Sequence, residues 1–431
     1  MKDSKQLNDF FTKQQLSAEL IDSDALLQNF LSEMKLGLED RKKSSLAMIP
    51  SYINPNATLP LEKPVIVLDA GGTNLRVAVV VFDSHGNSSI SHFEQHQMPG
   101  IERELSSEEF YNLLCDYLDP VIDRADSIGF CFSYPSEISE QKDGKLLYWV
   151  KEVKVPEVVG TYIGEGLNHA LKQRGVTPKK IVLLNDTVAT LLACKAQADK
   201  RHCEGLIGFI LGTGTNTAYV EENLAIPKVS LTEGSQIINV ESGNFNKLER
   251  SQIDIDFCSK TGAPDIHVFE KMISGRYLGP LTLEVIKTAA KESLFSSSAT
   301  KKLETLERLD SADLSIFLEN PFNLTSPFYC EELSDSDREI LYHIIDAMLN
   351  RAAKYTAINL SFAVLKSDQG KNPLHPVCIN IDGSTYHKLY GFSKKAEFEL
   401  KRIMEKHNRY VHLVQVDNSP IIGSAIAGLI A

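Results

Sequence analysis

Apolar residues recur at helical spacing through the first 50 residues of the chain, for example at Leu16, Leu20, Leu27 and Phe30. This periodicity predicts helices that bury one face. Asp24 precedes the second apolar stretch, and we expect it to cap that helix. A connector rich in proline and asparagine follows at 50–60 and separates these helices from a segment of a different kind.

Two short apolar runs, 65–68 and 77–82, flank the turn Asp69-Ala-Gly-Gly-Thr-Asn74. Because the runs are fully apolar and mostly β-branched, they predict buried strands joined by a glycine turn. The same theme returns in GFILGTGTNTAYVEE at 208–222, where Asn216 takes the place of Asn74, 142 residues later. A motif that recurs once at this distance predicts an internally duplicated protein with two lobes.

Strands and helices alternate in the rest of the chain. Between the two glycine turns the pattern predicts helices at 107–118 and 160–173 and strands at 127–132 and 180–184. In the second half it predicts helices near 268–290, 336–365 and 394–406 and strands near 377–381 and 411–416, with 291–330 left unassigned. Alternation of this kind is typical of α/β sheets.

The composition narrows the class of protein. The 431 residues suggest two or three domains. With 45 basic and 57 acidic residues the net charge is −12, which disfavours a nucleic-acid partner, because such binding neutralises phosphates with basic side chains. No run approaches the roughly 20 apolar residues of a membrane span. Seven scattered cysteines without a Cys-x-x-Cys pair, and a polar N-terminus, favour a cytoplasmic protein with reduced thiols.

The two glycine turns are candidates for phosphate binding. Glycines let backbone amides approach phosphate oxygens without a clash of Cβ atoms, although a glycine pair in a turn is also common without any function. Asp69 lies at the end of a buried strand just before the first turn, where its carboxylate could hold Mg²⁺ through water. The alternative is that Asp69 only caps its own turn.

Further polar residues interrupt apolar runs. Asn185 and Asp186 stand between a strand and an apolar helix, where one is expected to cap the helix or Asp186 to act as a general base. Ser133, Glu241 and Glu270 begin similar polar clusters. Each cluster alone suggests a turn or a cap, but together they supply the hydroxyl, amide and carboxylate groups that a polyhydroxy ligand requires.

These clusters, in this order, resemble the hexokinase family of the actin-like superfamily, over about residues 20–431. The segments that carry the resemblance are LDAGGTNLRV (68–77), FSYP (132–135) with Trp149-Val150-Lys151, NDTVAT (185–190), GTGTNTAYVEE (212–222), NVESGNF (239–245), FEKMISGRYLG (269–279) and IDGSTYH (381–387). The resemblance implies a two-lobed, actin-like (ribonuclease H-like) duplicated α/β fold with the ligand cleft between the lobes.

The resemblance also implies a role for each matching position. Asp186 would be the general base for the 6-hydroxyl of a hexose, assisted by Arg76 and Lys151. The sugar would be bound by Ser133, Lys151, Asn185, Asp186, Asn216, Glu241 and Glu270. The phosphates of ATP and its Mg²⁺ would face Asp69, Gly71, Gly72, Thr73, Asn74, Arg76, Gly212, Thr213 and Gly214, with Asp69 reaching the metal through water. The adenosine would lie near Asp382, Gly383 and Ser384.

The implied function is transfer of the γ-phosphoryl group of MgATP to a hexose, glucose first, by lobes that close on the sugar. The alternatives are a hexose sensor without kinase activity and an actin-like ATPase whose acceptor is water. We expect a small lobe at 61–186 plus 417–431, a large lobe at 1–60 plus 187–416, and a monomer or homodimer. Val150 stands where the family usually has threonine, and in the stretch 417–425 Pro420 and two isoleucines stand where the family has a turn rich in glycine and lysine. These two departures bear on the hexose preference and on the nucleotide contacts.

Overall fold

The computed structural model describes residues 2–150 and 152–431 as two large mixed sheets and a small antiparallel pair of strands, Ser136–Ile138 with Gly144–Leu146, with helices around and between them. The strands are β1 (Ile49–Pro50), β2 (Pro64–Ala70), β3 (Asn74–Phe82), β4 (Ser88–Gln97), β5 (Ser127–Phe132), β6 (Ser136–Ile138), β7 (Gly144–Leu146), β8 (Lys180–Leu184), β9 (Gly205–Leu211), β10 (Thr215–Glu222), β11 (Ser235–Asn239), β12 (Val377–Asp382) and β13 (Val411–Val414). The helices are α1 (Lys2–Lys13), α2 (Ser23–Glu39), α3 (Ser107–Leu118), α4 (Ile163–Gln173), α5 (Asp186–Ala193), α6 (Lys195–Lys200), α7 (Gln252–Ser259), α8 (Val268–Ile273), α9 (Gly275–Lys291), α10 (Ser297–Glu304), α11 (Ser311–Glu319), α12 (Asp335–Ser367), α13 (Ser384–Lys388), α14 (Phe392–Lys406) and α15 (Ser419–Ile430).

The two large sheets share one topology. The first has the order β4-β3-β2-β5-β8, and the second has the order β1-β11-β10-β9-β12-β13. Strand β2 is antiparallel to β3 and parallel to β5, just as β9 is antiparallel to β10 and parallel to β12. Apart from the short β1, each sheet therefore runs third, second, first, fourth, fifth in its own chain order. The repeat seen in the two glycine turns extends to whole sheets, as expected for a duplicated α/β protein.

The register of the hairpins corrects one detail of that repeat. The first turn is closed by Ala70 and Leu75 and holds four residues, whereas the second is closed by Leu211 and Thr215 and holds three. Counted outward from the closing pair, Asn216 is equivalent to Arg76, not to Asn74. The identical Thr-Asn pairs are thus displaced by two positions relative to the closing pairs of their hairpins.

Strand β2 is buried on both faces, which explains its unbroken apolar sequence. Ile66 and Leu68 face a core that α3 and α4 cover, while Val65 and Val67 face a core shared with α5 and α15. Helix α15 packs on the first sheet and on α5, and α5 packs on β9 of the second sheet. These two helices therefore connect the sheets, and the lobe boundaries proposed above stay a prediction.

The second sheet is covered by the 33-residue helix α12, whose residues are largely buried, together with α2, α8, α9 and α14. The N-terminal helices α1 and α2 belong to this same core. None of the helices among the described residues is both long and apolar enough to span a bilayer.

Several local predictions were wrong for physical reasons. Asp22, not Asp24, caps α2, with its carboxylate accepting from the amides of residues 24 and 25. The helix predicted near 268–290 is two helices that meet at Ser274. Strand β4 escaped prediction because it is an edge strand with almost every side chain exposed, so its sequence shows no apolar alternation.

Candidate active site

The ends of parallel strands bring the first group of site residues together. Strands β2, β5 and β8 are parallel neighbours, so Asp69, Ser133 and Asp186 follow or end strands at one edge of the first sheet. Open α/β sheets bind their ligands at such an edge. The buried Cys131 thiol reports the same convergence, because burial and then the charges of Asp69 and Asp186 raise its pKa.

Asp69 is buried and paired with Arg76, which lies directly opposite it on β3. Arg76 Nη2 is 2.6 Å from Asp69 Oδ2, and about a third of the arginine side chain remains exposed. A Cβ atom on Gly71 would stand 3.4 Å from the Asp69 carboxylate. The first glycine turn therefore lies over an ion pair whose arginine still reaches solvent.

Of the two polar residues that follow β8, Asn185 is the cap of helix α5. Its Oδ1 accepts from the Thr187 amide at 2.8 Å. Asp186 is the first residue of that helix and is half-buried, with the Thr187 hydroxyl 3.3 Å from its Oδ1. The cap fixes the position of Asp186, and the helix N-terminus is a favourable place for a carboxylate.

A hydrogen-bonded group of side chains forms on the second sheet. Asn216 Nδ2 donates to Asn239 Oδ1 at 2.7 Å, and Asn239 Nδ2 donates to Glu241 Oε1 at 2.8 Å. The side-chain Oδ1 of Asn216 accepts a hydrogen bond from the backbone amide of Thr217 at 2.7 Å. Asn216 and Glu241, both predicted from sequence, are thus held by Asn239, which was not.

Glu241 occupies an unusual environment. Its backbone has φ 58° and ψ 48°, the left-handed region that non-glycine residues enter at a cost of about 1–2 kcal/mol. Burial raises the pKa of Glu241, and the nearby carboxylates of Asp186 and Glu270 raise it further, against the lowering effect of Asn239. Three carboxylates therefore lie close enough to influence one another.

Glu270, in the first turn of α8, contacts the second glycine turn. Its Oε2 accepts from the Thr215 amide at 3.0 Å, and burial raises its pKa. A Cβ atom on Gly214 would come within 2.6 Å of the same oxygen. Gly214 is therefore needed for the close approach of Glu270, whatever it also contributes to phosphate binding.

The second glycine turn is built into its surroundings through its carbonyl groups. The Gly212 oxygen accepts from the Thr385 hydroxyl and from the Gly275 amide, both at 2.8 Å. Gly383 has φ 115°, and a Cβ atom there would lie 2.3 Å from the Leu211 oxygen. Asp382 pairs with Ile210 of β9, so the segment 382–384 lies beside this turn.

The segment 132–135 contacts the first glycine turn and Trp149. The Tyr134 hydroxyl donates to the Gly72 carbonyl at 2.6 Å, and the Ser133 amide donates to Ala70. The Trp149 ring packs edge-on against Tyr134 with centroids 5.0 Å apart, and its Nε1 donates to the Val155 carbonyl at 2.7 Å. A movement of one of these segments would therefore shift the other.

Lys151 and Val150 belong to the same short segment. Lys151 lies outside the described residues. Val150, which stands where the family usually has threonine, packs against the apolar core under α3 and α4. Its methyl groups therefore have an apolar contact in place of the hydroxyl that it lacks.

Sequence reasoning missed four residues next to the site. Asn239 holds Glu241, Tyr134 holds Gly72, the charge of His267 influences Glu241, and the Arg276 amide donates to Thr213. Asn239 could have been noticed as a polar residue in the buried run Ile237-Ile-Asn-Val. The other three became visible only through contacts between segments distant in sequence.

The comparisons with known proteins extend the resemblance over the chain. A family model described as Hexokinase matches residues 206–430, and a second one with the same description matches 6–196. Hexokinase-1 of Homo sapiens is 30% identical over 93% of this chain but only 45% of its own length, so the chain spans about half of that relative. The hexokinase of Schistosoma mansoni is 26% identical over 95% of this chain and 94% of its own length.

Solved structures agree on the fold. The Schistosoma mansoni hexokinase, solved with glucose, superimposes with a TM-score of 0.78 and covers 99% of both chains at 23% identity. At that identity the likeness establishes the fold, and it confirms the predicted two-lobed, actin-like architecture. The first model match alone covers more than half of the chain, and together these findings show that the chain belongs to the hexokinase family.

Proposed function

We propose that the chain is a hexokinase that transfers the γ-phosphoryl group of MgATP to the 6-hydroxyl of a hexose, with glucose as the first candidate. One observation carries the proposal: the Asp186 carboxylate lies close enough to Glu241 to raise its pKa, and Glu270 does the same. A candidate base thus stands beside carboxylates suited to accept hydrogen bonds from hydroxyl groups. The match of the family models supports the same reaction class.

The described side chains would divide the work as follows. Glu241 and Glu270 would accept hydrogen bonds from sugar hydroxyls, and Asn216 and Ser133 would complete the ring of partners. Asp186 would take the proton of the 6-hydroxyl as the oxygen attacks, a contribution of about 10²–10⁴-fold in rate. Lys151, by family resemblance, would bind the sugar or the moving phosphoryl group.

The donor set at the first glycine turn fits magnesium bound through water and phosphate. Among the described residues no group of three histidine, cysteine or acidic side chains could hold a metal ion. One buried carboxylate, Asp69, stands beside the turn, which suits Mg²⁺ because this ion usually keeps several waters and shares its sites with nucleotide phosphates. Bound there, Mg²⁺ would neutralise charge on the phosphates. Arg76 would add positive charge, and the turn would offer backbone amides.

Rejection of water is part of the proposal, since water is a smaller nucleophile than a sugar hydroxyl. Closure of the two lobes only when a hexose fills the cleft would assemble Asp186 with both glycine turns at the right moment. Helices α5 and α15, which pack together between the sheets, are the elements about which such a movement would take place.

The test is ADP formation from MgATP with and without glucose, mannose, fructose, galactose, glucosamine and N-acetylglucosamine. We expect strong dependence on at least one hexose, and loss of that activity in Asp186→Ala. ADP formation that ignores sugar would instead identify an ATPase. Hexose binding without any ADP would identify a sensor, and either result would overturn the proposal.

A further inference from the structure

Three of the seven cysteines meet at one place in the structure, each fewer than ten residues along the chain from a candidate site residue. Cys194 follows α5 directly, Cys378 is the second residue of β12, and Cys203 precedes β9. Cys194 and Cys378 are fully buried and pack together with Ala198, and the partly exposed Cys203 packs against them. All three are free thiols, and together they form the cysteine cluster.

The surroundings of the cluster are basic. His412 lies across from Cys378 in the parallel pair β12–β13 and alternates with Val414, which packs on the cluster. Its buried Nε2 has no hydrogen-bond partner among the described residues. The charge of Arg201 acts on Cys378, Cys203 and His412 alike, so this guanidinium lies near all three.

Cys378 is the one thiol of the cluster whose pKa is lowered. Hydrogen bonds from the thiols of Cys194 and Cys203, together with the charge of Arg201, lower the pKa of Cys378 despite its burial. Burial raises the pKa of Cys203 to about 11. A thiolate is the form of cysteine that reacts with peroxides, and a second thiol in contact with it can resolve the product as a disulfide.

We propose that the cysteine cluster is an oxidation site at which hydrogen peroxide joins Cys203 and Cys378 in a disulfide. The Cys378 thiolate attacks the O–O bond, becomes a sulfenic acid and releases hydroxide, which takes up a proton. The Cys203 sulfur then attacks the sulfenic sulfur, and water leaves. Two thiols lose two electrons in all, and one peroxide is reduced to two waters.

The position of the cluster connects it with the site, a consequence that rests on the proposed function. Helix α5 begins with Asp186 and leads into Cys194, and β12 carries Cys378 near its start and Asp382 at its end. A new covalent link beside both elements would shift α5 or β12 at the end away from the site. We expect oxidation to lower the turnover number at least threefold, and reduction by dithiothreitol to restore it.

The experiment uses the full chain treated with hydrogen peroxide, then alkylated and digested for mass spectrometry, with turnover measured in parallel. Cys203→Ser removes the resolving thiol. Cys330→Ser is the matched control, because Cys330 is also partly exposed but its thiol lies beside Glu332 instead of another cysteine.

A peptide joining Cys203 to Cys378 is expected in the wild type and in Cys330→Ser, and not in Cys203→Ser, whose turnover should resist peroxide. Oxidation at other cysteines without this link, or a stoichiometric zinc ion bound to the purified protein through these thiols, would overturn the proposal. Detection of the disulfide-linked peptide does not depend on kinase activity. A protein without kinase activity would therefore overturn the proposed function, while the peptide analysis would still decide whether the oxidation site exists. A disulfide that forms in an active enzyme without changing turnover would overturn the link to catalysis.

Discussion

Asn239 contacts two candidate sugar-binding residues through one amide group. It accepts from Asn216 and donates to Glu241, and only 5% of it is exposed. Removal of such a partner leaves buried polar groups unsatisfied, at a cost of about 1–3 kcal/mol. Single residues of this kind decide how precisely the site is arranged before a ligand enters.

We therefore expect Asn239→Ala to raise the KM for hexose about tenfold or more while the KM for ATP changes little. Asn223→Ala is the control, because Asn223 is equally buried and bonded to Gln236 and to the Glu233 carbonyl, away from the site. Equal effects of the two variants on hexose KM would contradict the assigned role of Asn239.

Glu241 illustrates a conflict between stability and function. The pKa of Glu241 is raised in the folded protein. Between the ordinary glutamate pKa and this raised pKa, the folded protein therefore holds more of the Glu241 proton than the unfolded chain does. The free energy of unfolding falls as the pH rises through this range, because the buried carboxylate loses its proton. Glutamine cannot ionise, but its Oε1 still accepts from Asn239.

The expected result for Glu241→Gln is a melting temperature at pH 7.5 at or above that of the wild type, together with a loss of hexose affinity. The gain in melting temperature should shrink toward about pH 4, where the wild-type carboxylate is protonated. Thermal melts of both proteins across this pH range provide the check, and a gain that is constant with pH would contradict the assigned cause.

Helix α2 supports the two segments that carry the proposed sugar-binding glutamates, Glu241 and Glu270. Phe30 of this helix is fully buried and stacks on Phe245 with ring centroids 3.5 Å apart, while Phe269 meets it edge-on at 5.2 Å. Phe245 follows Glu241 by four residues, and Phe269 immediately precedes Glu270. The N-terminal helices thus belong to the support of the site, a role that their own sequence does not reveal.

Loss of the Phe30 ring should therefore affect both folding and sugar binding. We expect Phe30→Ala to lower the free energy of unfolding by about 3–5 kcal/mol, and to raise the KM for hexose more than the KM for ATP. Phe30→Leu, which keeps most of the apolar volume, should fall between this variant and the wild type. Denaturant titration and steady-state kinetics measure the two effects, and unchanged sugar kinetics in a folded Phe30→Ala protein would contradict the link.

The elements that could be predicted were those with a clear apolar pattern. Strand β5 and helix α3 were predicted at 127–132 and 107–118, the limits that they have in the structure. Strand β4 could not be, because it is exposed, and α10 and α11 lie in the mixed stretch 291–330 that was left unassigned. The candidate site follows a similar rule. Motifs at strand ends pointed to Asp186 and Glu241 as candidates, whereas contacts made across the fold, such as that of Tyr134 with Gly72, carry no local signal.

The whole molecule offers an optical probe of the proposed closure of its lobes. Trp149, the only tryptophan, packs on Tyr134, whose hydroxyl is bonded to Gly72 of the first glycine turn. We expect the fluorescence of Trp149 to change with a saturating dependence on the concentration of the preferred hexose. Trp149→Phe should abolish the signal, and no change with a sugar that is turned over would argue against closure around this segment.

The most direct test of the account compares the wild type with Asp186→Asn in two assays. Formation of hexose 6-phosphate measures the chemistry, and calorimetric titration with the same hexose measures binding. The account predicts that turnover falls about 100-fold or more while hexose affinity stays within a few-fold of the wild type. The reason is that a positioned base accelerates the chemical step, whereas asparagine keeps the size of the aspartate side chain in the binding site. Turnover within tenfold of the wild type in Asp186→Asn would contradict the role of Asp186 as the general base.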